Sequence, residues 1–151
     1  MANYTAADIK ALREKTAAGM MDVKRALDEA DGDMAAAEEI LRVKGLKGVT
    51  KREGRTASNG LVAAQAGAGE GTLVEVLCET DFVAKGERFQ EVGARLVSHI
   101  AATSPADVPA LLASELEPGT TVQAYVDEAN ATLGEKIEVR RFAQFGDGYV
   151  A

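Results

Sequence analysis

Few residues in this chain of 151 have reactive chemistry, and their spacing does not assemble it. One cysteine, Cys78, and one histidine, His99, cannot make a structural zinc site. A single cysteine also closes no disulfide within the chain. His99 has neither a nucleophile nor a carboxylate close by in sequence, and it reads as a solvated or half-buried ring. The acid pairs Glu38/Glu39 and Asp127/Glu128 are adjacent, so on a helix their side chains diverge and make poor dyads. The glycines of GAGEG lie between two candidate strands, without the helix N-terminus that would hold a phosphate. The reading is a protein with no catalytic constellation, no cofactor and no metal, and not an enzyme. The chemistry that remains is that of binding. In CETDFVAKGERFQ (Cys78 to Gln90) a phenylalanine stands directly beside an aspartate, where an alternating apolar run gives way to a helical pattern. Either the ring turns inward and Thr80 or Asp81 caps the helix, or the pair is aimed at something outside the chain.

The elements around this corner follow from periodicity. Before it, GLVAAQ and GTLVEVLCE read as two strands joined by a glycine-rich turn. Val74, Val76 and Cys78 share one face of the second strand; Leu73, Glu75, Leu77 and Glu79 share the other. After it, Phe89, Val92, Leu96, Val97 and Ile100 recur at helical spacing and give a wide apolar stripe. Extended back, that stripe reaches Val83 and misses Phe82, which leaves the ring without a clear place in the core. A short helix is expected around Ala110–Leu116 and another from Thr121 to Leu133. KIEVRRFAQF returns to strand, and GDG begins a turn into YVA.

The first 45 residues read differently, as three short helices. Thr5 is a candidate N-cap, with Asp8 completing a capping box. Met20, Val23, Leu27 and Ala30 mark one face of the second helix, so Met20 should pack inward and Met21 outward. Asp33 can cap the third helix, which Gly45 should stop. Charge follows the same division: residues 1–41 carry −4, residues 42–55 carry +5 and residues 56–151 carry −8. The expected organisation is a three-helix bundle at 1–45, a basic linker at 46–56, and an α+β core subdomain at 57–151 with a small antiparallel sheet packed by helices. The net charge of −7 argues against nucleic acid as the partner, because phosphate neutralisation needs a basic surface. With no membrane-length apolar run, no signal-like segment and a lone cysteine, a cytoplasmic protein is expected.

Two stretches carry a family likeness. LREKTAAGMMDVKRAL (Leu12 to Leu27) resembles the N-terminal signature of elongation factor Ts, worded close to Leu-Arg-x-x-Thr-Gly-Ala-Gly-Met-Met-Asp-Cys-Lys-x-Ala-Leu. CETDFVAK (Cys78 to Lys85) resembles that family's Cys-x-Thr-Asp-Phe-Val-Ala-Lys. Ala17 stands where glycine is usual and Val23 where cysteine is usual, and both read as packing changes. The likeness covers the first half of a typical member; the second core subdomain and coiled-coil arm of longer relatives are read as absent from this chain.

The resemblance implies a ubiquitin-associated-like bundle and a guanine-nucleotide exchange factor acting in translation elongation. Its partner would be elongation factor Tu, GDP-bound and nucleotide-free. Arg13, Met20, Met21 and Lys24 would rest on that partner, and Thr80, Asp81, Phe82 and Val83 would push toward its magnesium and phosphate site. Short members of the family dimerise through their sheets, so a homodimer through an open edge at YVA is a further expectation. The alternative is a binding module only, its bundle recognising a helix or a ubiquitin-like surface.

Overall fold

A computed structural model describes residues 3–146 as an α+β fold: helices first, then a small antiparallel sheet packed by helices. The first three helices are α1 (Ala6–Thr16), α2 (Met20–Glu29) and α3 (Met34–Arg52). Thr5 caps α1 reciprocally with Asp8: the Asp8 amide donates to Thr5 Oγ1 at 3.3 Å and the Thr5 amide donates to Asp8 Oδ2 at 2.7 Å. Asp33 caps α3 through the Ala36 amide at 2.9 Å. Leu12, Val23, Ala26, Leu27, Ala37 and Leu41 form the core between these helices. Three of the six are no larger than valine, so this core alone holds little apolar area.

Contrary to the expected stop, α3 runs through Gly45 and Gly48 to Arg52, carrying most of the basic stretch as helix. The reason lies in packing. A Cβ on Gly45 would sit 2.9 Å from the Cβ of Ala131, so the missing side chain lets α3 lie close against α7 (Val122–Leu133). Farther along, Arg52 Nη1 donates to the buried Asn130 at 3.0 Å. The basic run is largely consumed inside the molecule: Arg42 pairs with Glu39 and Glu128, Lys44 with Asp22, and Arg55 with Glu79.

The sheet has strand order β1-β2-β5, all antiparallel, from β1 (Asn59–Gly67), β2 (Glu70–Cys78) and β5 (Glu138–Phe145). GAGEG supplies a tight hairpin. Gly67 pairs with Glu70, and Ala68 and Gly69 between them have φ of 49° and 84°, the positive values that a two-residue hairpin turn favours. Val74, Val76 and Cys78 are fully buried on the face of β2 turned toward α5 (Glu87–Thr103). Phe89, Val92, Leu96, Val97 and Ile100 meet them, each burial contributing about 1.5–3 kcal/mol.

Between the sheet's last two strands come α6 (Val108–Ala113), a two-strand ribbon of β3 (Glu115–Glu117) and β4 (Thr120–Thr121), and α7. α6 ends earlier than its pattern suggests. Ser114 is extended, and its hydroxyl donates to the Leu111 carbonyl at 2.7 Å, so Leu116 joins the ribbon instead. The YVA strand expected after Gly148 lies outside the described residues. Among the described residues, no helix is long and apolar enough to cross a membrane.

Candidate functional site

β2 ends at Cys78, and the chain turns at Glu79 and Thr80 into α4 (Asp81–Ala84), a single helical turn. Thr80, and not Asp81, is the N-cap: its Oγ1 accepts from the Val83 amide at 3.3 Å. Asp81 therefore occupies the first position of the turn and points to solvent. There its carboxylate accepts from Lys85 Nζ at 2.9 Å, and that bond holds its pKa below the usual carboxylate range. Val83 and Ala84 turn inward and pack against the core. Phe82 is left on the outer side and is 84% exposed, the most exposed of the large apolar side chains in the described chain. One short turn thus sorts its side chains: the cap and Val83 anchor it, while the ring and the carboxylate face outward.

Three groups that sequence patterns do not reveal hold this corner from behind. Glu135, just past the α7 C-cap Gly134, accepts from the Glu79 amide and the Thr80 amide, both at 3.1 Å, and from Thr80 Oγ1 at 2.6 Å. Glu79 answers by accepting from the Lys136 amide at 2.7 Å and from Arg55 at 3.3 Å. The Lys136 amide and Arg55 together lower the pKa of Glu79. Lys136 Nζ in turn donates to the carbonyls of Glu53 and Arg55, just beyond α3, at 2.8 and 3.1 Å. Apart from Arg55, 24 residues from Glu79, these partners lie 55 or more residues apart, beyond the range of helical or strand periodicity.

The second group of candidate residues lies on the bundle. Arg13 and Lys24 are exposed, as expected. Met20 is not packed inward: it is 59% exposed, and Met21 is 61% exposed. α2 begins at Met20, so its first turn overhangs the bundle, and the buried face starts only at Val23 and continues through Ala26 and Leu27. The two methionines form an apolar, adaptable tip. Arg88, in the first turn of α5, donates to the Glu14 carbonyl at 3.4 Å and ties the end of α1 to the helix that follows the corner.

The other reactive groups are held by structural bonds. His99 Nε2 lies 2.8 Å from Ser114 Oγ, whose own proton goes to Leu111; burial lowers the pKa of His99. Cys78 is buried, and burial raises its thiol pKa. Among the described residues, no group of three His, Cys, Asp or Glu side chains converges to hold a metal ion.

Fold and site together define an α+β protein that presents a solvent-exposed ring and carboxylate on a braced corner. The family model described as elongation factor TS matches residues 79–150, beginning at that corner. Elongation factor Ts of Streptomyces griseus is 65% identical over 99% of this chain and 55% of its own length. That of Streptomyces coelicolor is 64% identical over the same shares, and that of Micrococcus luteus 59% identical over 99% of this chain and 54% of its own length. The chain belongs to the elongation factor Ts family, and it spans about half the length of these curated relatives.

Proposed function

We propose that the chain is the docking and wedging half of a guanine-nucleotide exchange factor for elongation factor Tu. The observation that carries this reading is Phe82: a large ring, 84% exposed, on a turn that Val83 and Ala84 anchor to the core. Burying a phenylalanine removes roughly 150–250 Å² from water, worth at most about 4–6 kcal/mol. Only the part gained with the nucleotide-free partner, and not with the loaded one, weakens nucleotide binding. If half of it is differential, about 2–3 kcal/mol, GDP affinity falls roughly 30- to 150-fold.

Asp81 adds a charge beside the wedge. Its partner Lys85 sits one turn away, and both side chains are more than two-thirds exposed, so the pair is weak and readily exchanged for a new partner. A carboxylate arriving at a magnesium–phosphate site repels the phosphate and competes with the oxygen ligands already on the metal. Arg13, Met20, Met21 and Lys24 supply the second area of contact, where methionine's flexibility suits a partner groove. Such an activity makes and breaks no covalent bond.

The test is release of fluorescent GDP from elongation factor Tu. The chain should accelerate it, and Phe82→Ala should remove most of the acceleration. A Phe82→Ala variant as fast as the parent would rule out the wedge; no complex with Tu at all would leave a binding module for another helical or ubiquitin-like surface.

A further inference from the structure

We propose that Glu135 is the positioning residue for the exposed corner, setting the direction in which Phe82 and Asp81 are presented. This rests on the exchange-factor reading above and deepens it. A strand-to-helix turn leaves amide groups without partners, and here the Glu79 and Thr80 amides would be two of them. Glu135 takes both on one carboxylate oxygen, at 3.1 Å each, and takes the Thr80 hydroxyl on the other at 2.6 Å. That last bond orients the hydroxyl: its proton goes to Glu135, so its lone pairs face the Val83 amide, which donates to it at 3.3 Å. The cap of α4 is thus set by a side chain from the far end of the α+β unit.

The clamp is reciprocal. Glu79 takes the Lys136 amide at 2.7 Å, so each side of the contact supplies a carboxylate to the other's backbone. Asn59 Nδ2 closes the remaining side by donating to the Glu79 carbonyl at 2.9 Å. Hydrogen bonds from backbone N–H groups to a carboxylate are stronger than those to a neutral acceptor and are directional, which suits them to fix a turn that must hold shape while a ring is pushed into a partner. Glu135 itself is half-buried behind the corner and acts through the Thr80 cap.

The test uses the full chain with Glu135→Ala and Glu135→Gln. The alanine removes every acceptor. The amide of glutamine keeps the shape, with its oxygen on the two N–H groups and its NH₂ on Thr80 Oγ1. Two readouts are needed. In hydrogen exchange, Glu135→Ala should speed the Thr80 amide by about tenfold or more while Val74 and Val76 keep their protection, and Glu135→Gln should stay within about threefold of the parent. In GDP release, Glu135→Ala should lower the maximal rate by about tenfold with a half-saturating concentration changed by no more than about twofold, because the bundle contacts are intact. Unchanged Thr80 exchange, or a uniform rise across all amides, would overturn the proposal, as would a loosened corner with a normal maximal rate. If the parent chain releases no GDP, the exchange reading falls, and the Thr80 and Val74 amides alone decide whether Glu135 sets the corner.

Discussion

A ring that touches almost nothing in its own fold can be removed without opening a cavity. Phe82→Ala should therefore leave stability within about 0.5 kcal/mol, so a melting curve beside a release assay separates the proposed wedge role from a structural one. Ala17 presents the opposite case. It caps α1 with φ of 55°, the left-handed region where a Cβ is crowded. Position 17 is thus governed by backbone conformation, which glycine meets at less cost than Ala17, and the packing explanation drawn from the sequence is corrected; Val23, fully buried between the helices, fits that explanation. Ala17→Gly should stabilise the chain by about 1 kcal/mol, measurable by urea denaturation. His99 gives a pH signature. Burial lowers its pKa below the ordinary 6.5, so the unfolded chain takes up the proton first as pH falls. Stability from this group is complete above about pH 6.5 and declines as pH drops from there toward the folded-state value. His99→Gln should flatten that part of the profile, and the only histidine's ring resonances can be followed directly.

Among the elements, α3 shows how a helix accepts glycine. Gly45→Ala should gain about 1 kcal/mol of helix propensity and lose about 1–3 kcal/mol to the clash with Ala131, for a net destabilisation. Ala131→Gly in the same chain should restore the space, so the double variant should be more stable than the sum of the single changes by about 1–2 kcal/mol in a denaturation cycle. The same helix marks the limit of what was legible in advance. The α5 stripe, the inner face of β2 and the caps at Thr5 and Asp33 follow local rules, and the structure has them where the sequence put them. Gly45 obeys a rule too, but its partner Ala131 is 86 positions away, so in one dimension it looks like a stop. Met20 fits its helical face and is still exposed, because periodicity gives a direction and does not say whether a neighbour extends that far. At the corner, periodicity left Phe82 free to turn inward or outward, and the outward reading came with the family resemblance. The corner's support was not legible, since Glu135 acts through backbone amides, which have no side-chain pattern.

At the scale of the whole molecule, the bundle and the sheet are joined by the Gly45–Ala131 contact, the Arg52–Asn130 bond and the hold of Lys136 on the chain beyond α3. They should open as one unit, with the Leu27 and Val76 amides sharing a single exchange free energy. Gly45→Leu should split the two values, and parent amides that already differ by more than about 2 kcal/mol would contradict this coupling. A stiff α3 also makes the molecule a pair of callipers. Under the proposed exchange reading, the methionine tip is one jaw and the Phe82 corner the other. One residue inserted into the exposed middle of α3 would rotate one jaw by about 100° and shift it about 1.5 Å with every contact side chain still present. If the proposed docking holds, such a chain would still fit either half of its target, though never both together.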